Sequence, residues 1–267
     1  MTFQILLSCM HQKDMDIFEK SNIRCDALAV NQCDKDAVCN SDDNTKRMIF
    51  TTQRGLSRSR NMAIDKAWSD ICLISDDDET FEPDVAEKVL KAYETYGDAD
   101  VIAFQVANAS GFGENINGDK KTYPDKAFRC GLLKTLRISS WQISFRRKSI
   151  LEKGIRFDEK MGSGTSNGAQ EESKFLADCH RAGLNIWYVP VLIATMKEEH
   201  ASQWFKGFDY KFFYDRGWAT RRFLGWTLAT LYAVYFAVKK HKMYSHDISF
   251  MKSLYAMIKG INSPQER

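Results

Sequence analysis

Residues 75–79 read Ser75-Asp76-Asp77-Asp78-Glu79 and follow directly on the apolar run Ile71-Cys72-Leu73-Ile74. Four carboxylates that close repel one another unless a cation sits among them. A divalent Mg²⁺ or Mn²⁺ is the simplest occupant. Hard cations take oxygen ligands, and phosphate-handling sites hold them with one or two carboxylates, leaving the rest of the shell to water and substrate phosphate. The competing reading is a solvated acidic turn that complements the dipole of a helix starting near Pro83 and Asp84. A second concentration of chemistry surrounds Gly55, where Arg54, Arg58 and Arg60 gather at a helix start that Ser57 or Ser59 would cap. That arrangement makes an anion site, with a glycine turn and solvated arginines as the alternative. Glu171 and Glu172 open a further helix after a loop rich in glycine and serine, either as reactive acids or as dipole complements. Glu198, Glu199 and His200 follow in a late loop.

These groups need a scaffold, and the hydrophobic pattern supplies one. Residues 2–10, 26–30, 47–51, 71–74 and 100–106 read as buried strands, and 141–145 and 185–189 as two more. Helices are expected over 62–68, 83–96 and 171–182, and a helix or turn over 14–21. Repeated strand-helix alternation implies a mostly parallel sheet flanked by helices, whose carboxyl-end loops carry ligand sites. Asn31-Gln32-Cys33-Asp34 reads as one such polar loop, and residues 108–125 as a long loop of the kind that covers active sites.

At 267 residues, with 44% hydrophobic and 27% charged, the chain is globular. A net charge of +3 argues against a nucleic-acid partner, which calls for a stronger and more concentrated basic bias. Seven cysteines without a C-x-x-C spacing fit free thiols in a reducing compartment, and residues 3–7 are too short for a signal sequence, so a cytoplasmic protein is expected.

Beyond about residue 205 the character changes. Residues 223–238 are apolar nearly all round, preceded by Arg216, Arg221 and Arg222 and followed by Lys239, Lys240, His241 and Lys242. The stretch is shorter than the ~20 residues that span a bilayer, so it is expected to lie at the anionic inner face of a membrane. Ile248, Met251, Leu254, Tyr255 and Ile258 form one face of a second, amphipathic helix. The alternative is a helical hairpin packed on the domain or on a second subunit of a homodimer.

Several chemistries compete for the acidic loop. Asp76-x-Asp78-x-Thr80 fits the D-x-D-x-T pattern of haloacid-dehalogenase-type phosphatases, whose nucleophilic Asp belongs on the first strand, whereas here it follows roughly the fourth. An EF-hand fails at Phe81, where the turn needs glycine. No P-loop is present, and Gly162, Gly164 and Gly168 miss the dinucleotide spacing by one. The order of parts, however, resembles glycosyltransferase family 2, the inverting GT-A fold. Residues 54–63 look like its G-x-S-x-x-R-N turn, and 75–79 with Pro83-Asp84 like its D-x-D-D-x-x-x-P-D segment. Phe157-Asp158 through Gly162 and Gly164, then Glu171-Glu172, look like its acceptor segment.

The resemblance covers about residues 2–205 and implies a Rossmann-like GT-A domain over 1–205 with a C-terminal helical extension over 206–267. It implies a nucleotide-sugar donor, a UDP-sugar, bound by Asn31, Gln32, Arg54, Arg60, Asp76 and Asp77. The metal would be held by Asp76, Asp78 and His200, with Asp78 the more direct ligand. Glu172 would be the base that takes the proton of an acceptor hydroxyl, with Glu171 as neighbour or alternate. Trp141, Ser163 and Gly164 would meet the acceptor, a glycan or lipid-linked glycan in surface polysaccharide assembly such as capsule or O-antigen. A non-catalytic nucleotide-sugar-binding or membrane-scaffold protein is the alternative from a different class.

Overall fold

The computed structural model describes residues 1–108, 123–168, 170–197 and 207–265. The N-terminal half runs β1 (Phe3–Met10), α1 (Ile17–Lys20), β2 (Ala27–Gln32), β3 (Ala37–Asn40), β4 (Lys46–Thr51), α2 (Leu56–Lys66), β5 (Ile71–Asp76), β6 (Glu79–Phe81), α3 (Val85–Thr95) and β7 (Val101–Ala107). There follow β8 (Phe128–Arg129), α4 (Leu132–Thr135), a 3-10 turn (Ser140–Gln142), β9 (Ile143–Arg146), α5 (Arg147–Glu152), α6 (Glu171–Arg181), β10 (Ile186–Met196), α7 (Tyr210–Lys239), α8 (His241–Tyr244) and α9 (Phe250–Asn262).

The described strands form one sheet in the order β3-β4-β2-β1-β5-β9-β7-β10-β6, with β8 also paired to β10. Strands β4, β2, β1 and β5 are mutually parallel, as are β7 and β10, whereas β9 runs antiparallel between β5 and β7. Each inner strand is apolar on both faces because both faces are covered. Ile5, Leu7, Ala29 and Leu73 point to the side of α1 and α3, while Leu6, Leu28, Val30 and Ile74 point to the side of α2 and α6. The result is the three-layer GT-A architecture expected from the order of motifs.

The chain moves from β1 outward through β2 and β4, then returns to place β5 on the other side of β1. That reversal opens a crevice beyond the carboxyl ends of β1 and β5, the usual ligand position in open α/β sheets. The acidic run lies at the end of β5, and so at this crevice.

Three local expectations are corrected. Asn31 and Gln32 belong to β2 and are buried rather than looped out. Helix α2 begins at Leu56, six residues before the predicted start, with Gly55 at its N-cap and no side-chain cap. Neither Ser57 nor Ser59 caps it, because their hydroxyls reach across to the Met161 carbonyl and to Ser8 Oγ. Residues 223–238 do not form one free helix. Gly225, at φ 75 and ψ 175, breaks α7 into arms 210–224 and 226–239. The second arm folds back on the first, since Phe213 lies 6.2 Å from Phe236 and Arg216 Nη1 donates to Tyr232 Oη at 3.1 Å. Helix α9 closes the bundle. Gly217 and Gly260 let it press against the first arm, because a Cβ at either would run into the Met257 or Tyr214 carbonyl.

Candidate active site

The crevice is organised by Arg60, which reaches it from the second turn of α2 with only 1% of its surface exposed. Its Nη2 donates to both carboxylate oxygens of Asp76, at 2.8 and 3.0 Å, and its Nη1 donates to Glu171 Oε1 at 2.8 Å. One planar guanidinium thus holds an acid from the end of β5 and an acid from the start of α6, a task the point charge of lysine would not reproduce. The ring of Phe157 faces the same guanidinium at 5.3 Å. Burial by itself lowers the Arg60 pKa, but the Asp76 and Glu171 charges outweigh it and the net shift is upward. Arg60 is therefore a permanent cation, and the anion site expected from three gathered arginines is not open as drawn. Arg54 is bound to Asp34 and to the Cys33, Thr51 and Thr52 carbonyls, and Arg58 to Glu159.

The next residue, Asn61, ties the two halves of the site together. Its amide donates to the Phe157 carbonyl at 2.9 Å and accepts from the Phe157 N–H at 2.8 Å. Asn31 does the same for the loop after β1, bonding the Gln12 N–H and carbonyl, and Gln32 accepts from the Gly55 N–H at 2.7 Å. Both predicted donor-side amides thus brace the crevice walls from the end of β2. The 161–168 loop is docked against the same turn. The Leu56 N–H donates to the Ser163 carbonyl at 2.9 Å, and Gly164, at φ 89, approaches Gly55 so closely that a Cβ would sit 3.2 Å from its Cα. Trp141 lies away from these contacts, half-buried in the 3-10 turn and packed on the core at the α1 and α3 side.

Glu171 is engaged by Arg60, whereas Glu172 next to it is not. Burial and then the Glu171 charge push the Glu172 carboxyl up to about 8. A carboxylate of this kind is suited to accept a proton near neutral pH.

The acidic turn carries its own cations. Besides Arg60 on Asp76, the Lys197 ammonium donates to the Asp77 carbonyl and to Ser21 Oγ, both at 3.2 Å, and its N–H donates to the Asp78 carbonyl at 2.7 Å. Nothing in the sequence marks Lys197 as part of this turn, because only the pairing of β10 with β6 brings it there. Among the described residues no group of three His, Cys, Asp or Glu side chains is placed to enclose a metal. His200 lies outside the described residues. The carboxylates do fit the sparser shell that phosphate-bound Mg²⁺ or Mn²⁺ uses. Glu79 is fully buried beside Asp76 and Asp78, and burial and those two charges raise its pKa well above the ordinary range against the opposing hydrogen bonds of the Ser75 side chain and the Asp76 backbone. A second positive charge at Asp78 would relieve that repulsion.

Residues 30–155 match the family described as Glycosyl transferase family 2, just under half of the chain. The match includes Arg60 and the acidic turn and stops short of Glu171 and Glu172. No curated protein matches the sequence. Among solved structures, residues 1–349 of S. aureus TarS in complex with UDP-GlcNAc align with a TM-score of 0.65 at 12% identity, covering 98% of this chain and 82% of that one. The UDP complex of the same protein aligns with a TM-score of 0.62 at 13% identity, covering 98% and 81%. At such identities the likeness establishes the shared fold.

Proposed function

We propose that the protein is an inverting glycosyltransferase that moves a sugar from a nucleoside-diphosphate donor, a UDP-sugar, to a hydroxyl of a glycan or lipid-linked glycan in surface polysaccharide assembly. The observation that carries this reading is the Arg60 clamp, which joins a donor-side acid, Asp76, to the acid pair Glu171-Glu172 across a crevice at the sheet reversal. The family match over the donor half and the nucleotide complexes of TarS support it.

In this reading Glu172 takes the proton from the acceptor hydroxyl as its oxygen attacks the anomeric carbon. Arg60 fixes Glu171 and keeps its charge beside Glu172, holding the base at a useful pKa. Asp76 and Asp77 face the donor, and Asp78 would hold a divalent cation. That cation would neutralise the charge developing on the departing diphosphate. One displacement with one base inverts the anomeric configuration. A phosphatase with Asp76 as nucleophile is disfavoured, since both Asp76 oxygens are held by Arg60.

Calorimetric titration with UDP, with and without Mn²⁺, tests the reading. Metal-dependent binding that Asp78→Ala abolishes is expected. Absence of binding to UDP, GDP and dTDP under every metal condition would overturn it.

A further inference from the structure

The second arm of α7 is inside out. Its inner face, packed in the bundle, is made of the small residues Ala229, Ala233 and Ala237 with Phe236. Its outer face carries Leu228, Leu231, Val234, Tyr235 and Val238, all exposed, with Leu231 at 62% and Val238 at 61%. At 100° per residue these side chains fall on one arc opposite the alanines, and no charge interrupts them before Lys239. Contiguous apolar surface of this kind on a folded domain marks a covered site.

The adjoining helix continues the surface. Trp226 Nε1 donates to Asn262 Oδ1 at 3.0 Å, and His241 meets Phe250 edge to face with ring centres 5.8 Å apart. The second arm and α9 therefore lie side by side and antiparallel, matched at both ends. The outer face of α9 exposes Met251 and Tyr255, flanked by Lys252 and Lys259. Lys239 and Lys242 stand exposed at the end of the arm. From Asp215 to Asp247 the chain holds no other carboxylate side chain, and none follows Asp247 within the described residues.

We propose that this face, the second arm of α7 with the outer side of α9, docks on an anionic lipid surface. The apolar arc would sit among the acyl-chain ends and the lysines would meet the headgroups. A bulky apolar stripe bordered by lysines and free of carboxylates matches a negatively charged interface better than it matches its own copy, since two such faces would bring like charges together. Among the described residues no helix is long and apolar enough to cross a membrane, so the contact is one of surface attachment.

The first arm of α7 transmits this attachment to the acid pair. Arg222 binds Asp158, with Nε to Oδ2 at 2.9 Å, Lys211 donates to the Ser166 carbonyl at 2.7 Å, and Met161 is buried in the bundle core. The lipid-facing helices are thus fixed to the segment that precedes Glu171 and Glu172. Resting on the glycosyltransferase reading, this selects a lipid-linked acceptor, presented from the bilayer to the Glu172 side of the crevice.

Co-sedimentation of the full chain with vesicles tests the docking face independently of any activity. Binding to phosphatidylglycerol vesicles is expected, weak or absent on phosphatidylcholine and falling as salt rises. Leu231→Glu with Val238→Glu should reduce the bound fraction about tenfold or more, and Lys239→Glu with Lys242→Glu should weaken binding roughly fivefold or more per lysine. Both variants change exposed side chains, so unchanged circular dichroism and unchanged UDP titration verify their fold and donor site. Failure to bind anionic vesicles, equal binding by the Leu231/Val238 variant, or a solution dimer that this variant dissolves would each overturn the lipid inference. Retained UDP binding in that case would leave the transferase reading standing.

Discussion

The crevice and the outer face of the helical bundle depart from the ordinary burial rule in opposite directions. At the crevice, Arg60 and Glu171 are hidden from water. On the bundle, leucine, valine and tyrosine are displayed to it. Charges are rarely buried unless paired, and large apolar patches are rarely exposed unless covered. The first departure is resolved within the chain, since Arg60 supplies the partner that Asp76 and Glu171 require. The second is not resolved within the chain, and so points outward to a partner. Internal completeness at one region and incompleteness at the other separate a site that performs chemistry from a surface that docks.

The contrast can be broken from either side. Glu172→Gln should lower kcat about 100- to 10,000-fold while leaving the UDP titration intact, because only proton transfer is removed. For the unaltered protein, kcat/KM should rise with pH through about 8, the value to which burial and Glu171 lift this group. The same raised pKa gives a stability contribution that is present at low pH and lost as pH rises through about 8, and Glu172→Gln should flatten that slope in denaturant titrations.

Arg60→Ala leaves two carboxylates without their cation and should cost ~3–5 kcal/mol of folding stability, read as a lower urea midpoint. Arg60→Lys, able to serve one acid at a time, should fall between the two. Gly260→Ala sharpens the bundle side. In an open helix this change stabilises, but here the new Cβ meets the Tyr214 carbonyl, so a loss of ~1–3 kcal/mol is expected in thermal melts. The smallest effect belongs to Leu231→Ser, which should stay within ~0.5 kcal/mol in the same melts because the side chain is exposed.

Much of this arrangement was legible in the chain. The apolar runs placed the inner strands within a residue or two, except that β10 continues to Met196, seven residues past the expected end at Val189, and the order of short motifs pointed to the architecture. What escaped was set by contacts distant in sequence. Asn31 and Gln32 look like loop residues because they are polar, yet the backbone of Gln12 and Gly55 satisfies them inside β2. Ser57 and Ser59 have the composition of a helix cap, but tertiary partners 104 and 51 residues away claim their hydroxyls. The repulsion within the acidic run reads as a call for a divalent cation, and nothing in the sequence signals that Arg60 and Lys197 bring positive charge to it from elsewhere in the fold. The fold-back at Gly225 was hidden because an arm that is alanine on one side and leucine on the other reads as apolar all round.

Strand β9 has a consequence for how the chain is made. It is the only link between the β4-β2-β1-β5 block and the β7-β10 pair within the described sheet, and it enters antiparallel after both β5 and β7 have been synthesised. Until residues 143–146 leave the ribosome, Ile71, Cys72 and Leu73 present an open, apolar strand edge. Such edges recruit other nascent chains. A chain interrupted shortly before β9 should therefore aggregate, while one carried past Arg146 can close its sheet.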